Sequence, residues 1–324
     1  GLLNGQVELA QTPGRAPVGQ VTVSSENGVI QVRDGQELLD FPYQQLSVDT
    51  RLQDRVAKAQ VLLSSEIIGQ LAVNADIADP AGAQTLSGDY QLSDLKLDFL
   101  RPMLPDVDEL QLTLNGSGSL SGVLSQPVVS GVLSLRDGLV AGRNLPISLE
   151  QLQADIRIDG TNARIDSRWT SGEQGQGTLS GQVGWAPLDV DLQLRGSALP
   201  VNVEPYAQLQ VAPDLAITLR DNNLHVGGEL AIPEGDIRVR ELPASAVTVS
   251  PDVVIVGQEA AEQDAALGIT ARVKLNIGDQ LRLSAFGLRG RLKGQLEVQE
   301  NLTANGDLQI LDGEFRRLGQ ELKL

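Results

Sequence analysis

Residues 306–315 read Gly-Asp-Leu-Gln-Ile-Leu-Asp-Gly-Glu-Phe. Two aliphatic residues follow the first glycine at alternate positions, and a second glycine precedes another strand-like run. Gly131–Val140 (Gly-Val-Leu-Ser-Leu-Arg-Asp-Gly-Leu-Val) and Gly228–Ile237 (Gly-Glu-Leu-Ala-Ile-Pro-Glu-Gly-Asp-Ile) repeat this order, and Gly19–Ile30 is a looser copy. Acid–glycine pairs supply the positive φ angles that tight hairpins need. The pattern therefore predicts one β-hairpin unit, reused at irregular intervals along the chain.

Between these copies, aliphatic residues alternate with polar ones almost everywhere, which is typical of half-buried strands. Helix signals are confined to Leu97–Leu104 and Val203–Gln208, each long enough for one turn. The sequence therefore predicts an all-β chain with few or no helices. The turn signals that we expect to separate its strands are Asn27-Gly28, Asp34-Gly35, Asp137-Gly138, Asp159-Gly160, Glu234-Gly235 and Asp312-Gly313.

The composition narrows the choice of β architecture. Aromatic residues make up 3% of the 324 residues, and cysteine is absent. Ordinary β-sandwiches bury several large aromatic side chains, transmembrane barrels carry aromatic girdles, and disulfide-stapled modules need cysteine. A parallel β-helix would show regular corner turns rather than hairpin signals. We therefore predict a long antiparallel sheet, curled along its length so that one aliphatic face forms an elongated apolar groove.

The state of this apolar face is left open by the pattern, because alternation does not measure curvature. Side chains could fill the groove as a dry core. Alternatively, the groove could hold an alkyl chain, at about 0.8 kcal/mol per buried CH₂. The candidate groove residues are Leu133, Leu135, Ile156, Ile158, Val190, Leu192, Leu194, Ile217, Leu219, Leu230, Ile232, Ile237, Val239, Val273, Leu275, Leu281, Leu283, Leu308 and Ile310.

No linker divides the sequence, so residues 1–324 are expected to form one continuous groove-forming segment. Weak breaks occur at residues 79–84 and 257–268. The chain begins with Gly1, and its single methionine is Met103. We therefore expect a processed product or a fragment of a larger protein.

The net charge of −17 argues against nucleic-acid binding. One segment is nevertheless basic, since residues 272–293 contain six basic side chains and a single acidic one. These alternate with aliphatic residues, which places them on the opposite face of the strands. They form either an ordinary solvated surface or an outer patch for an anionic partner or lipid headgroups. The six are Arg272, Lys274, Arg282, Arg289, Arg291 and Lys293.

No catalytic constellation is found. Asp106, Asp108 and Glu109 lie in loop-like sequence and lack the spacing of a calcium loop. His225 is the single histidine and has no nucleophile or metal-ligand pattern around it. Gly116–Gly122 looks like a phosphate loop but lacks the lysine and helix that follow one. We predict that the chain is not an enzyme and uses no metal or cofactor.

The strings Glu241-Leu242-Pro243-x-x-Ala246-Val247-x-Val249-Ser250, Ile277-Gly278-Asp279, Ala285-Phe286-Gly287-Leu288 and Gly319-Gln320-x-Leu322 occur in this order. Together they resemble the C-terminal region of the TamB family, the translocation and assembly module subunits of Gram-negative bacteria. The specific resemblance covers residues 215–324. Upstream of residue 215, the general repeat style resembles the family.

The resemblance implies a periplasmic protein anchored in the inner membrane, with a partner of the TamA type, which is an outer-membrane barrel. It also implies a folded-over, β-taco-like sheet similar to those of AsmA-like and bridge-like lipid-transfer proteins, and phospholipid acyl chains as cargo. The anchor is expected to be absent here, and the segment that docks on the barrel is expected beyond Leu324. The alternative function is assembly of outer-membrane proteins and autotransporters by strand-edge capture, and a third possibility is a structural spacer.

Overall fold

A computed structural model describes residues 2–12, 17–34, 37–53, 55–66, 68–239, 268–299, 303–317 and 320–323. These residues form nineteen β-strands and one short 3-10 helix. The chain divides into two compact units. Unit 1 comprises Gly1–Arg143 and Leu149–Arg168, and unit 2 comprises Asn144–Ser148 and Trp169–Leu324.

Unit 1 is an antiparallel meander in which each strand from β1 to β9 pairs with the next along the chain. A 3-10 helix, η1, connects β6 to β7, and β10 begins in this unit. The elements are β1 (Leu3–Ala10), β2 (Val18–Asp34), β3 (Glu37–Gln53), β4 (Val56–Ser65), β5 (Gly69–Ala78), β6 (Thr85–Lys96), η1 (Asp98–Met103), β7 (Glu109–Val123), β8 (Gln126–Ala141), β9 (Leu149–Asp159) and β10 (Asn162–Ser171).

Unit 2 contains the remaining strands. Its pairings are antiparallel except for β15 with β16, which run parallel over sixteen register positions. β14 pairs with both β12 and β13 along its length. The strands are β11 (Gly175–Trp185), β12 (Leu188–Ser197), β13 (Leu199–Val203), β14 (Ala207–Arg220), β15 (Asn223–Val239), β16 (Gly268–Ala285), β17 (Leu288–Val298), β18 (Ala304–Arg317) and β19 (Gln320–Lys323).

The predicted fold class is confirmed, since the chain is all-β, its strands pair mainly antiparallel, and helix is confined to η1 in the part that the structure describes. The helical turn predicted within Leu97–Leu104 is η1. The turn predicted at Val203–Gln208 is not a helix. It is the connection between β13 and β14, and Val203 pairs directly with Ala207 across it. The parallel pair was not predicted, because β15 and β16 are joined through residues 240–267, which lie outside the described residues.

The prediction that the glycine repeat is a hairpin is wrong. Each of the three clear copies lies within one long strand, namely β8, β15 or β18. Asp137 and Asp312 have φ angles of 53° and 52°, and the strand registers shift beside them. Such a residue inserts an extra position and bends a strand that continues, which is a β-bulge. The left-handed conformation favoured by the acid–glycine pair therefore bends the strand instead of reversing it.

The other turn signals divide into two groups. Asp159-Gly160 lies in the turn between β9 and β10, as predicted, whereas Asn27-Gly28 lies inside β2, where Asn27 has a φ of 51°. Gly35 lies outside the described residues. The weak break at residues 79–84 is the turn between β5 and β6, and residues 257–267 of the second break also lie outside the described part.

Candidate apolar binding face

Unit 2 presents one continuous aliphatic face. Side chains at register partners lie on the same side of a sheet, so the strand registers define rows of side chains across the strands. One row joins Val190 of β12 to Leu219, which pairs in turn with Leu224. A second row joins Leu230 of β15 to Leu275 and then to Leu296. The rows continue from β11 to β18 and interleave aliphatic side chains with glycines.

The candidate groove residues of unit 2 are all brought together on this face. Each has register partners that are aliphatic, alanine, proline or glycine, with no polar partner in the described pairings. They are Val190, Leu192, Leu194, Ile217, Leu219, Leu230, Ile232, Ile237, Val239, Val273, Leu275, Leu281, Leu283, Leu308 and Ile310.

Unit 1 has an equivalent face of its own. Leu46, Leu63, Leu71 and Leu92 form a row across β3 to β6, and this row continues through Gly116 and Leu133 to Ile156. The candidate groove residues of unit 1 lie on it, since Leu133 pairs with Ile156, Leu135 with Ala154 and Ile158 with Gly131.

The side chains of these faces are mostly half-buried. Leu135, Val273 and Leu281 are buried, whereas Leu308 and Ile310 remain 47% and 40% exposed. All other candidate groove residues are intermediate. In an ordinary sealed core such leucines, isoleucines and valines are among the residues most often fully buried. The aliphatic faces therefore keep apolar surface accessible to solvent.

The basic candidate residues lie on the opposite face, where three of them contact carboxylates of neighbouring strands. Arg282 donates two hydrogen bonds of 2.7 Å to Asp236, and Arg291 pairs with Asp312. Lys274 Nζ lies 4.0 Å from a carboxylate oxygen of Glu229. The hydrogen bonds from Arg282 lower the pKa of Asp236. Arg272, Arg289 and Lys293 are exposed on the same face. Three of the six positive charges of this patch are thus paired with carboxylates that the structure describes.

Two aromatic residues on the apolar faces were missed by sequence reasoning. Tyr90 Oη and Trp169 Nε1 are buried without a hydrogen-bond partner among the described residues. The Tyr90 ring lies over Gly118 and Gly131, where a Cβ would come within 2.7 and 2.5 Å of the hydroxyl oxygen. Burial raises the pKa of Tyr90. The glycines make room for the rings, a relation that is visible only once the register is known.

The groups considered for chemistry are held in structural roles. His225 Nδ1 lies 2.9 Å from Thr270 Oγ1 on the neighbouring strand. The Asp108 carboxylate accepts bonds of 2.9 and 3.2 Å from the backbone and side chain of Arg143, which lower its pKa. Gly116–Gly122 lies inside strand β7 and is not a loop. The described residues contain no His, Cys, Asp and Glu cluster that could hold a metal ion, and no helix among them has the length and apolarity needed to span a membrane.

Comparison with protein families gives two adjoining matches. A family model described as the TamB C-terminal domain matches residues 159–324, which is slightly more than half of the chain, and one described as the TamB N-terminal domain matches residues 1–135. Together the two matches cover much more of the chain than the specific resemblance at residues 215–324. The gap between them lies in the same region as the division between the two units.

A curated relative is the translocation and assembly module subunit TamB of Haemophilus influenzae. It is 22% identical over 304 residues, which cover 88% of this chain and 23% of the relative. The chain therefore spans about a quarter of that relative's length. No solved structure matches the chain significantly.

Proposed function

Because the chain belongs to the TamB family, we propose that its aliphatic faces bind phospholipid acyl chains and conduct them between the inner and outer membranes of a Gram-negative envelope. The single observation that carries the proposal is that the aliphatic faces continue across many strands while most of their side chains stay half-buried. Each CH₂ group covered there would contribute about 0.8 kcal/mol.

The proposed cargo has apolar tails and a charged headgroup, which would occupy different surroundings. A lipid headgroup is charged, and placing it in an apolar groove without a partner is costly. The headgroup would therefore stay in water while the tails lie against leucine, valine and isoleucine. No bond is made or broken in this mechanism, so the chain would act as a binder and conduit.

The setting of this activity is part of the same proposal, and membership of the family supports it. We place the chain in the periplasm, as a segment of a bridge anchored in the inner membrane, working with a TamA-type outer-membrane barrel. The relative's name supports a translocation and assembly module. The chain's outer basic patch remains a proposed contact for an anionic partner or headgroups.

The test compares two variants of strand β16. Each variant introduces one positive charge, either on the aliphatic side of the strand or on the opposite side. Leu275 of β16 lies on the aliphatic face, and its neighbour Asn276 points to the other side. Leu275→Arg should lower the transfer of a fluorescent phospholipid between vesicles by about tenfold or more, a loss of roughly 1.4 kcal/mol in binding. Asn276→Arg is the matched control and should transfer at the wild-type rate. Equal rates for both variants would contradict the proposal.

A second candidate function rests on strand β1. All eight of its residues are exposed, and within the described residues it pairs only with β2. An unpaired strand edge can capture an extended client strand through backbone hydrogen bonds. This function would make the chain an assembly factor for outer-membrane proteins and autotransporters. It predicts that Leu275→Arg leaves client assembly unchanged, because an edge depends on backbone groups and not on the aliphatic face.

A further inference from the structure

The polar face of unit 2 carries a cavity where irregularities of neighbouring strands coincide. The registers shift beside Gln210 in β14, beside Glu234 in β15 and beside Gln280 in β16. Gln210 pairs with Glu234, and Glu234 pairs with Gln280, so the three irregularities lie in one row. Bulges bend strands and increase their twist. A cavity of about 760 Å³ lies along this row.

The lining of this cavity combines apolar side chains, among them Val201 and Leu209, with amide and charged groups. The side chains of Gln208, Gln210, Gln280 and Glu234 make no hydrogen bond within the described part of the chain. The charged lining residues are Glu234, Asp236 and two arginines. Both arginines are already engaged, Arg282 with Asp236 and Arg291 with Asp312. The cavity therefore offers amide groups and the Glu234 carboxylate as its uncommitted partners, while its guanidinium groups are held in place.

Unit 1 has a similar row of bulges, but the chain itself satisfies the groups there. The registers shift beside Leu112 of β7, whose N–H donates to Asp98 Oδ1 at 3.3 Å and whose carbonyl accepts from Leu97 N–H at 2.8 Å. Arg136 donates to the carbonyls of Leu135 and Ala154 at 2.8 and 3.1 Å. The start of η1 and one arginine thus occupy the row in unit 1, while the corresponding row in unit 2 opens onto the cavity.

We propose that this cavity binds a neutral saccharide. A primary amide both donates and accepts hydrogen bonds, as do the hydroxyl and N-acetyl groups of sugars. An acyl chain would leave the amides and the Glu234 carboxylate without partners, and the engaged arginines disfavour a free anion. β14, β15 and β16 are each paired on both sides, and the Asn202 N–H of β13 donates to the Pro146 carbonyl at 2.7 Å, so these strands offer an extended peptide little free backbone edge. The volume falls in the range of ligand pockets, about 300–1,000 Å³.

The polar groups of this site are separate from the aliphatic face, because Gln208, Gln210, Glu234 and Gln280 point to the other side of the strands. Its ligand could be a cell-wall glycan or the sugar portion of a glycolipid, which share the same hydroxyl and amide chemistry. The two sources are separated by the probes used in the test.

The test measures binding by the whole 324-residue chain in calorimetry and saturation-transfer NMR. The probes are a tetramer of N-acetylglucosamine and a dephosphorylated core oligosaccharide from a glycolipid. We expect at least one to bind with a Kd on the order of 1 mM or tighter. Preference for the tetramer identifies a cell-wall glycan, and preference for the core oligosaccharide identifies a glycolipid.

The variant Gln210→Leu/Gln280→Leu replaces both amides with apolar groups, and it should weaken binding about tenfold or more. Gln91→Leu is the matched control, since Gln91 is an exposed strand glutamine of unit 1 without a described side-chain hydrogen bond. Circular dichroism and thermal unfolding establish that both variants fold. Absence of binding by either probe, equal binding by the double variant, or binding of an extended peptide in place of the sugars would overturn the proposal.

Discussion

Each unit contains a row of β-bulges, but the space beside the row is filled by side chains in unit 1 and stays open in unit 2. In unit 1, Asp137 takes a φ of 53° beside Arg136, and the guanidinium of Arg136 bonds the carbonyls around the irregularity. In unit 2, Arg282 bonds the carboxylate of Asp236 instead, and the polar face beside the row stays open as a cavity. A bulge determines where a strand bends, and the neighbouring side chains determine whether the space at the bend is filled or kept.

The apolar sides of the two rows also differ. Gly138 of unit 1 is buried, and a Cβ there would lie 2.8 Å from Leu135 Cδ2 and 2.9 Å from Leu112 Cδ2. Leu281 of unit 2 is 1% exposed, yet its row partner Ile310, two strands away, is 40% exposed. Along this row the aliphatic face is therefore densely packed at Leu281 and more open at Ile310.

The largest expected effect is that of Leu281→Asp. An uncompensated carboxylate at this buried position should destabilise unit 2 by more than about 4 kcal/mol. Hydrogen-exchange mass spectrometry should show lost protection in β14 to β17 with protection in β2 to β5 retained. Ile310→Asp is the control in the same row and should cost less than about 1 kcal/mol. Equal hydrogen-exchange protection of unit 2 in wild type and Leu281→Asp would contradict the conclusion that unit 2 is tightly packed at this position.

Gly138→Val tests the filled bulge row of unit 1. The added side chain would enter space held by three leucines, since Leu152 Cβ is also within 3.1 Å. Overpacking of this kind costs about 1–3 kcal/mol, which chemical denaturation of unit 1 should detect. Gly5→Val is the matched control, because a Cβ at Gly5 meets a single atom at 3.7 Å. A Gly138→Val protein as stable as the control would show that the row is not tightly filled.

Arg136→Gln tests whether the arginine of unit 1 secures the bulge. The carbonyls of Leu135 and Ala154 lose charged donors, and the expected loss is about 1 kcal/mol because the side chain is partly exposed. Exchange of the amide protons in β8 and β9 should accelerate locally. Unchanged exchange there would mean that the bulge is stable without its arginine.

The smallest expected effect concerns pH in unit 2. The Asp236 pKa is lowered by its hydrogen bonds with Arg282, so the pair stabilises the folded state above the ordinary aspartate pKa of about 3.9. This stabilisation disappears as the pH falls through the lowered pKa. Arg282→Gln should therefore be slightly less stable than wild type at pH 7, and this difference should shrink as the pH falls below the ordinary aspartate pKa. A difference that does not shrink as the pH is lowered would contradict the role of the ion pair.

The fold class and the aliphatic face could be predicted from the sequence because both follow from period-two alternation. Leu192 and Leu194 alternate with polar residues, and each turns out to have apolar partners on both sides. The resemblance to the TamB family is confirmed by the family matches. The residues at 241–250, which carried its most specific string, lie outside the described part of the structure.

The bulges and the cavity could not be predicted, because local sequence does not distinguish a turn from an irregularity. Asp159-Gly160 and Asp312-Gly313 are the same dipeptide, yet one reverses the chain and the other lies within β18. The difference depends on which strand each neighbour pairs with. Gln210 and Gln280 are 70 positions apart, so the register of three strands is needed to place both beside Glu234.

Photo-crosslinking at two adjacent positions of β12 tests the central claim most directly. Leu192 lies on the aliphatic face, whereas Gln193 points to the opposite side and bonds Asp214. A benzophenone amino acid placed at each position in cells would be irradiated, and the adducts would be identified by mass spectrometry. The account predicts phospholipid adducts from position 192 and none from position 193. Lipid adducts in equal amounts from both positions, or protein adducts alone from position 192, would contradict it.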